Sequence, residues 1–202
     1  MSKSTDRSAA LSEKLRPKVA IILQPIARGL LKLHLTPNVL TCLGLLLAVG
    51  VGIAAMNGQM LLAGILMLLS GPMDAIDGAV ARQSGRQTSF GAFFDSTCDR
   101  YAEGFVLLGL SIYGLAINDQ RIVLLAFVAV WGSLLISYTR ARAEGLGIEC
   151  KVGLFTRLER VILISAMLIL NQVLIGLIVL AILTHVTAME RIVHVWRATR
   201  EL

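Results

Sequence analysis

The sequence predicts an all-α integral membrane protein, a single domain over residues 1–202 with six membrane-spanning helices behind an N-terminal interfacial amphipathic helix. Three observations carry this. Of the 202 residues 56% are hydrophobic and the mean hydropathy is +0.76, whereas soluble domains run about 45–50% apolar. The apolar residues fall into six segments, several long enough to cross a bilayer. The connections between them alternate between short neutral turns and longer basic stretches, the pattern that orients a multi-pass chain.

The first element is residues 1–37. It starts polar, and Lys14, Arg16, Lys18, Arg28 and Lys32 interrupt its apolar positions. A secretory signal needs an unbroken apolar core and a small-residue cleavage site; this stretch fits a basic amphipathic helix lying in the membrane interface. Residues 38–202 form the six-helix bundle. The spans are expected at about 38–56, 60–82, 89–117, 121–144, 155–171 and 173–199. The first is apolar throughout. The second is apolar and then acidic, and the third reverses that order. The fourth ends in "SYTRARAEG", the fifth opens with "FTRLER" and the sixth ends in "MERIVHVWRATREL".

The connections "NGQ", "NDQ" and "NQ" are nearly neutral, while "RQSGRQT", "RARAEGLGIECKVGLFTRLER" and both ends of the chain are basic. Both termini and every polar half-helix are therefore expected on the cytoplasmic side. A helix of about 24 residues is ~36 Å long, enough to cross the core and still present a polar turn or two. The net charge is +6, but these basic residues sit between apolar runs. They suit topology and anionic membrane lipids rather than nucleic acid. Cys42, Cys98 and Cys150 are odd in number and follow no metal-ligand or disulfide spacing, so they read as free thiols.

Chemistry concentrates in "DAIDGAVARQSGRQTSFGAFFDSTCD", residues 74–99. Asp74 and Asp77 are three apart and Asp95 and Asp99 four apart, spacings that put each pair on one helix face. The seven-residue "RQSGRQT" is short enough to make the two helices antiparallel neighbours and let the carboxylates converge. Four converging carboxylates repel unless something compensates them, and a hard divalent cation such as Mg2+ does so. Cys98 is expected to face away from Asp95 and Asp99, leaving no soft ligand. Gly78, Ala81 and Gly91 clear backbone surface one turn from the acids. Arg82 among them can neutralise phosphate bidentately. Carboxylates, a metal, an arginine and bare backbone together suit a diphosphate.

Asp74-x2-Asp77-Gly78-x2-Ala81-Arg82-x8-Gly91-x3-Asp95-x3-Asp99 matches all eight fixed positions of the signature of the CDP-alcohol phosphotransferases (phosphatidyltransferases), and the chain resembles that family over most of its length. "TPNVLT" also resembles the family's entry into the first span. The resemblance implies six spans behind an interfacial helix, a homodimer, and attack of an acceptor hydroxyl on the β-phosphorus of a CDP-linked lipid such as CDP-diacylglycerol, with release of CMP. It implies two divalent ions, Mg2+ or Mn2+, held by Asp74, Asp77 and Asp95. Asp99 completes the metal site and serves as general base. Asp77, Gly78, Ala81, Arg82 and Gly91 bind the CDP-lipid.

Within the family, "FGAFFDSTCDRYAEG" and "SYTRARAEG" resemble the phosphatidylinositol-phosphate synthase branch and its archaeal relatives. That implies inositol 1-phosphate as acceptor, with glycerol 3-phosphate the alternative. Arg157 and Arg160 share a helix face and can reach toward Arg140 across the basic connection. Arg140, Arg157 and Arg160 are thus the expected contacts to the acceptor's phosphate, with Arg197 and Arg200 behind them. The same arginines could instead serve topology and lipid headgroups. Glu103, one turn past Asp99, reaches either the site or a structural partner. His34, His185 and His194 are scattered and suit packing or interfacial roles, as do Trp131 and Trp196. Two rival readings have discriminators. An acidic-lined transporter would release no CMP from CDP-diacylglycerol. A membrane prenyltransferase would carry two distant aspartate motifs.

Overall fold

The computed structural model describes residues 24–25, 27–33, 35–85 and 87–200, and for Asp74 the backbone alone. Every regular element among them is a helix: α1 Pro37–Met56, α2 Met60–Ser70, α3 Met73–Ser84, α4 Ser89–Ala116, α5 Gln120–Gly145, α6 Arg157–Ile169 and α7 Val173–Arg200. Most of the expected N-terminal amphipathic helix lies outside the described residues. Its described part is helical at 27–32. There Ala27 is buried with Leu40 of α1 and Ala79 and Val80 of α3, while Arg28 and Lys32 are exposed.

The expected second span is two helices, α2 and α3, joined at Gly71–Pro72. Proline has no N–H for the helical ladder, yet both residues keep αR-like angles, so the polypeptide continues on much the same course. A side chain at Gly71 would strike Val161 Cγ1 of α6 at 2.5 Å. The step therefore also lets α6 close in.

Three tight turns join α1 to α2, α4 to α5 and α6 to α7, and they share one cap. Gly58, Asn118 and Asn171 each take positive φ (73°, 57° and 53°). The next residue's N–H then reaches back over the last turn: Gln59 to Ala54 O, Asp119 to Gly114 O and Gln172 to Met167 O, at 2.8–2.9 Å. Glycine and asparagine tolerate that left-handed conformation, which satisfies carbonyls the helix end would otherwise orphan.

The helices close into a ring. α1 packs along α4, α4 along α5, α5 along α7, α7 along α6, α6 along α2 and α2 along α1, with α3 lying on α1. The α1–α4 crossing is backbone against backbone, since a Cβ at Gly109 would meet Gly52 Cα at 2.7 Å and a Cβ at Gly52 would meet Phe105 O at 2.5 Å. Such small-residue crossings are how helices associate where the surroundings are as apolar as the core.

The polarity of the bundle is inverted. Thr184, Thr187, Ser133, Arg160 and Arg191 are buried, while Leu46, Leu115, Phe127 and Ile182 are exposed. Four segments are long and apolar enough to cross a membrane: Pro37–Met56, Met60–Ser84, Gln120–Gly145 and Val173–Arg200. α4 has the length but carries Asp95, Asp99, Arg100 and Glu103 within its first 15 residues, and α6 has 13 residues.

Candidate active site

Asp74 and Asp77 lie on α3, and Asp95 and Asp99 on α4. The connection is short because Gly85 caps α3 at φ 64° and Thr88 caps α4, its Oγ1 accepting from the Gly91 N–H at 2.9 Å. α3 and α4 do not pack along each other as the short connection suggested; each packs against α1. Asp77 is buried, and Thr41 Oγ1 of α1 donates to its Oδ2 at 2.7 Å. Through Thr41, α1 fixes one of the carboxylates directly. The Asp74 side chain lies outside the described residues.

On α4, Asp95 Oδ1 is buried without a hydrogen-bond partner. Asp99 Oδ2 pairs with Arg100 Nη2 at 3.1 Å and with Arg157 Nη1 from the start of α6. Arg100 also donates to Ser137 Oγ of α5. A capping box holds the first turn of α6 in place, with the Thr156 N–H donating to Glu159 Oε2 at 2.9 Å. That turn presents Arg157 and Arg160.

These residues fit a hard divalent cation by their chemistry. The carboxylates are oxygen donors only, and Asp95 Oδ1 is a buried acceptor without a hydrogen-bond partner. Among the described residues, which exclude the Asp74 side chain, no three His, Cys, Asp or Glu groups gather closely enough to hold an ion. Cys98 does not face away from the acids. It is buried and near enough to Asp95 and Asp77 to feel their charges, because three residues is close to one helical turn. Cys42 and Cys150 are likewise free. In the α5–α6 connection burial pushes the Cys150 thiol up, which makes it less reactive.

The expected CDP-lipid residues stand beside the acids. A Cβ at Gly78 would meet Arg82 Nη1 at 3.3 Å, so the exposed guanidinium lies across a bare stretch of helix. Ala81 is half-buried one turn on. A Cβ at Gly91 would come 3.0 Å from Thr88 Oγ1 and 3.5 Å from Asn38 Oδ1, placing the Asn38 amide of α1 at the same end of the bundle.

The expected acceptor arginines differ in their partners. Arg140 is about half exposed, its Nε donating to Glu144 Oε1 at 2.8 Å. Arg157 pairs with Asp99. Arg160 is 5% exposed, and its Nη1 donates to Glu103 Oε2 and Oε1 at 2.9 and 3.1 Å. Arg197 and His194 line a separate groove of about 530 Å3 between the α5–α6 connection and α7. Arg200 stacks 4.0 Å over the Trp196 ring.

Sequence reasoning missed Arg191. It is buried on α7, its Nε donating to Val152 O at 3.0 Å and its Nη1 to Ile136 O. It ties the α5–α6 connection to α5 and lies within electrostatic range of Arg140 and Arg160. The signal was available in the period: Thr184, Thr187, Ala188 and Arg191 fall on one helix stripe, and the first three are small or weakly polar.

A membrane-crossing helical bundle that gathers carboxylates and guanidiniums together is an integral membrane protein equipped to handle phosphates and a divalent cation. The chain belongs to the CDP-alcohol phosphatidyltransferase family, whose family model matches residues 34–195. It is 34% identical over 198 residues to the archaetidylinositol phosphate synthase of Methanothermobacter thermautotrophicus, covering 95% of this chain and 97% of that one. The phosphatidylinositol phosphate synthase of Mycobacterium tuberculosis is 34% identical over 193 residues, 90% of this chain and 88% of its own. A crystal structure of that mycobacterial enzyme with CDP-DAG bound superposes with TM-score 0.80 at 33% identity, over 87% of this chain and 94% of the other. A second, in complex with manganese and citrate, gives TM-score 0.78 at 33% identity over 86% and 88%.

Proposed function

We propose that this enzyme transfers the phospholipid group of a CDP-linked lipid to a hydroxyl of inositol 1-phosphate, giving the phosphatidylinositol phosphate type of product and CMP. The observation that carries the phosphorylated acceptor is the surplus of guanidinium buried inside the bundle. Arg160 and Arg191 are each 5% exposed. Glu103 neutralises the first, whereas the partners found for the second are two carbonyls. Carbonyl dipoles satisfy its donors but leave its charge, and an anion compensates a buried charge best.

In this reading Asp74, Asp77, Asp95 and Asp99 hold the divalent ions, which when bound stabilise charge on the diphosphate. Gly78, Ala81 and Gly91 let the CDP moiety approach backbone, and Arg82 meets its phosphates. The acceptor hydroxyl attacks the phosphorus on the lipid side of the diphosphate. The bond to the CMP oxygen breaks, CMP departs with that electron pair, and Asp99 takes the hydroxyl proton. Arg160, Arg140 and Arg157, joined by Arg191, address the acceptor's phosphate. When it arrives, Arg157 can leave Asp99 for the incoming anion.

All six segments span the membrane in this reading. The acidic half of α4 faces the cytoplasmic end, α6 is lengthened by the connection ahead of it, and both termini are cytoplasmic. Supporting this, the neutral turns at Gly58, Asn118 and Asn171 follow the C-terminal ends of α1, α4 and α6, whose opposite ends carry Thr41, Asp95 and Asp99, and Arg157 and Arg160. A homodimer follows from the family resemblance, with CDP-diacylglycerol and membrane lipids as the other partners.

An acceptor panel tests the proposal, using purified enzyme and CDP-diacylglycerol. CMP release should be fast with inositol 1-phosphate and poor with unphosphorylated inositol; equal rates, or preference for glycerol 3-phosphate, would overturn the acceptor assignment. Arg160→Gln should raise the acceptor KM about tenfold or more, because a hydrogen bond to a charged group is worth ~1.5–3 kcal/mol.

A further inference from the structure

We infer that Glu103, supported by Ser133, is a positioning residue for the acceptor: it fixes the Arg160 guanidinium and so sets how tightly the enzyme holds a phosphorylated alcohol. The inference rests on the proposed role of Arg160.

Glu103 lies four residues past Asp99, on the same face of α4 and one turn further along. Its Oε1 accepts from Ser133 Oγ of α5 at 2.8 Å and from Arg160 Nη1 at 3.1 Å, and its Oε2 accepts from the same Nη1 at 2.9 Å. Three helices meet at this one carboxylate, which is 15% exposed. Ser133 itself is buried, so its hydroxyl holds the carboxylate from the side away from solvent.

The geometry says which edge of Arg160 is committed. Both Glu103 oxygens are on Nη1, whereas Nε is buried and has no acceptor. A pair built only to join helices would more naturally engage Nε as well, as the fork-to-fork arrangement does. Here the carboxylate anchors one corner and leaves Nε, alongside Nη2, to address an anion. That edge offers two parallel donors and suits phosphate. Arginine has a long flexible stem, and an anion site gains affinity when the stem is held before the ligand arrives. Glu103 does this and also balances the guanidinium charge while the site is empty of acceptor. Its place one turn beyond the proposed base ties that alignment to α4, the helix on which the hydroxyl must be positioned.

The test is a double-mutant cycle on purified enzyme with CDP-diacylglycerol and inositol 1-phosphate. Glu103→Gln should raise the acceptor KM about three- to tenfold, as expected for losing charge assistance at one contact, and leave the CDP-lipid KM within about twofold. If Glu103 acts through Arg160, adding Glu103→Gln to Arg160→Gln should raise the KM no further than about twofold. The Ki of inorganic phosphate as a competitor of the acceptor should rise in parallel.

Effects that multiply, or a CDP-lipid KM that rises as much as the acceptor KM, would mean that Glu103 only holds the bundle together and would overturn the inference. An unchanged KM in Glu103→Gln beside a raised one in Arg160→Gln would overturn it alone; an unchanged KM in Arg160→Gln would overturn the acceptor site and this inference with it. Should Glu103→Gln fail to fold, Ser133→Ala replaces it, keeping the carboxylate and removing only the hydroxyl that holds it. That variant should raise the acceptor KM about two- to fivefold in the wild-type background and not at all with Arg160→Gln. No change, or an equal rise in both backgrounds, would refute the positioning role.

Discussion

Replacing Asp99 by Asn separates chemistry from binding. The side chain is 11% exposed and holds two guanidiniums, Arg100 at 3.1 Å and Arg157 from α6. Asparagine keeps the size and an acceptor oxygen but loses the charge and the capacity to take a proton. Loss of a general base typically costs about 10²–10⁴-fold, or roughly 3–5 kcal/mol of transition-state stabilisation. The structural cost is smaller: both arginines are about a third exposed, so solvent screens much of their lost pairing. Asp77 and Asp95 remain, so CDP-lipid should still bind. The expected result is a kcat reduced at least about a hundredfold, with CDP-lipid affinity and the unfolding temperature in detergent close to wild type. CMP release at saturating substrates gives the first quantity, and equilibrium binding of CDP-diacylglycerol the second. A variant that loses CDP-lipid binding yet keeps its kcat at saturation would refute Asp99 as the base.

Asp77→Asn and Asp95→Asn should each abolish CMP release while the bundle stays folded. Asp95→Asn should cost no stability at all, since it removes charge from a carboxylate whose Oδ1 is buried and unsatisfied; full activity in either would defeat the metal-site assignment. Thr41→Val deletes the 2.7 Å bond that orients Asp77 and should weaken Mn2+ binding, followed by electron paramagnetic resonance, about 10–100-fold, the usual cost of losing such a support. An unchanged Mn2+ affinity would show that the hydroxyl does not orient the ligand. Gly109→Val should lower stability by about 1–3 kcal/mol or more, because the nearest atoms are Gly52 backbone that cannot move aside. Gly104→Ala, with nothing within 4 Å of its added Cβ, should be neutral or slightly stabilising in the same melting experiment; equal losses in the two would refute the close crossing.

What could be read along the chain was whatever depends on near neighbours. Apolar runs and their punctuation placed the helices, and Asn-Gly-Gln, Asn-Asp-Gln and Asn-Gln marked the tight turns because glycine and asparagine accept positive φ. The spacing of Asp74, Asp77, Asp95 and Asp99 assigned the acidic faces, since helical periodicity turns three or four residues into one side of a cylinder. The break at Gly71–Pro72 was visible in the letters, but its small effect on the helix path was not. Tertiary structure alone decided the pairings. Thr41 meets Asp77 across 36 residues, Arg160 meets Glu103 across 57, and Arg191 meets the Ile136 carbonyl across 55. An arginine exposed on the surface, one that grips a neighbouring glutamate as Arg140 grips Glu144, and one held inside the bundle as Arg191 is are the same letter in sequence. They differ in the charge and solvent that surround them, and those are set by which helices the ring brings together.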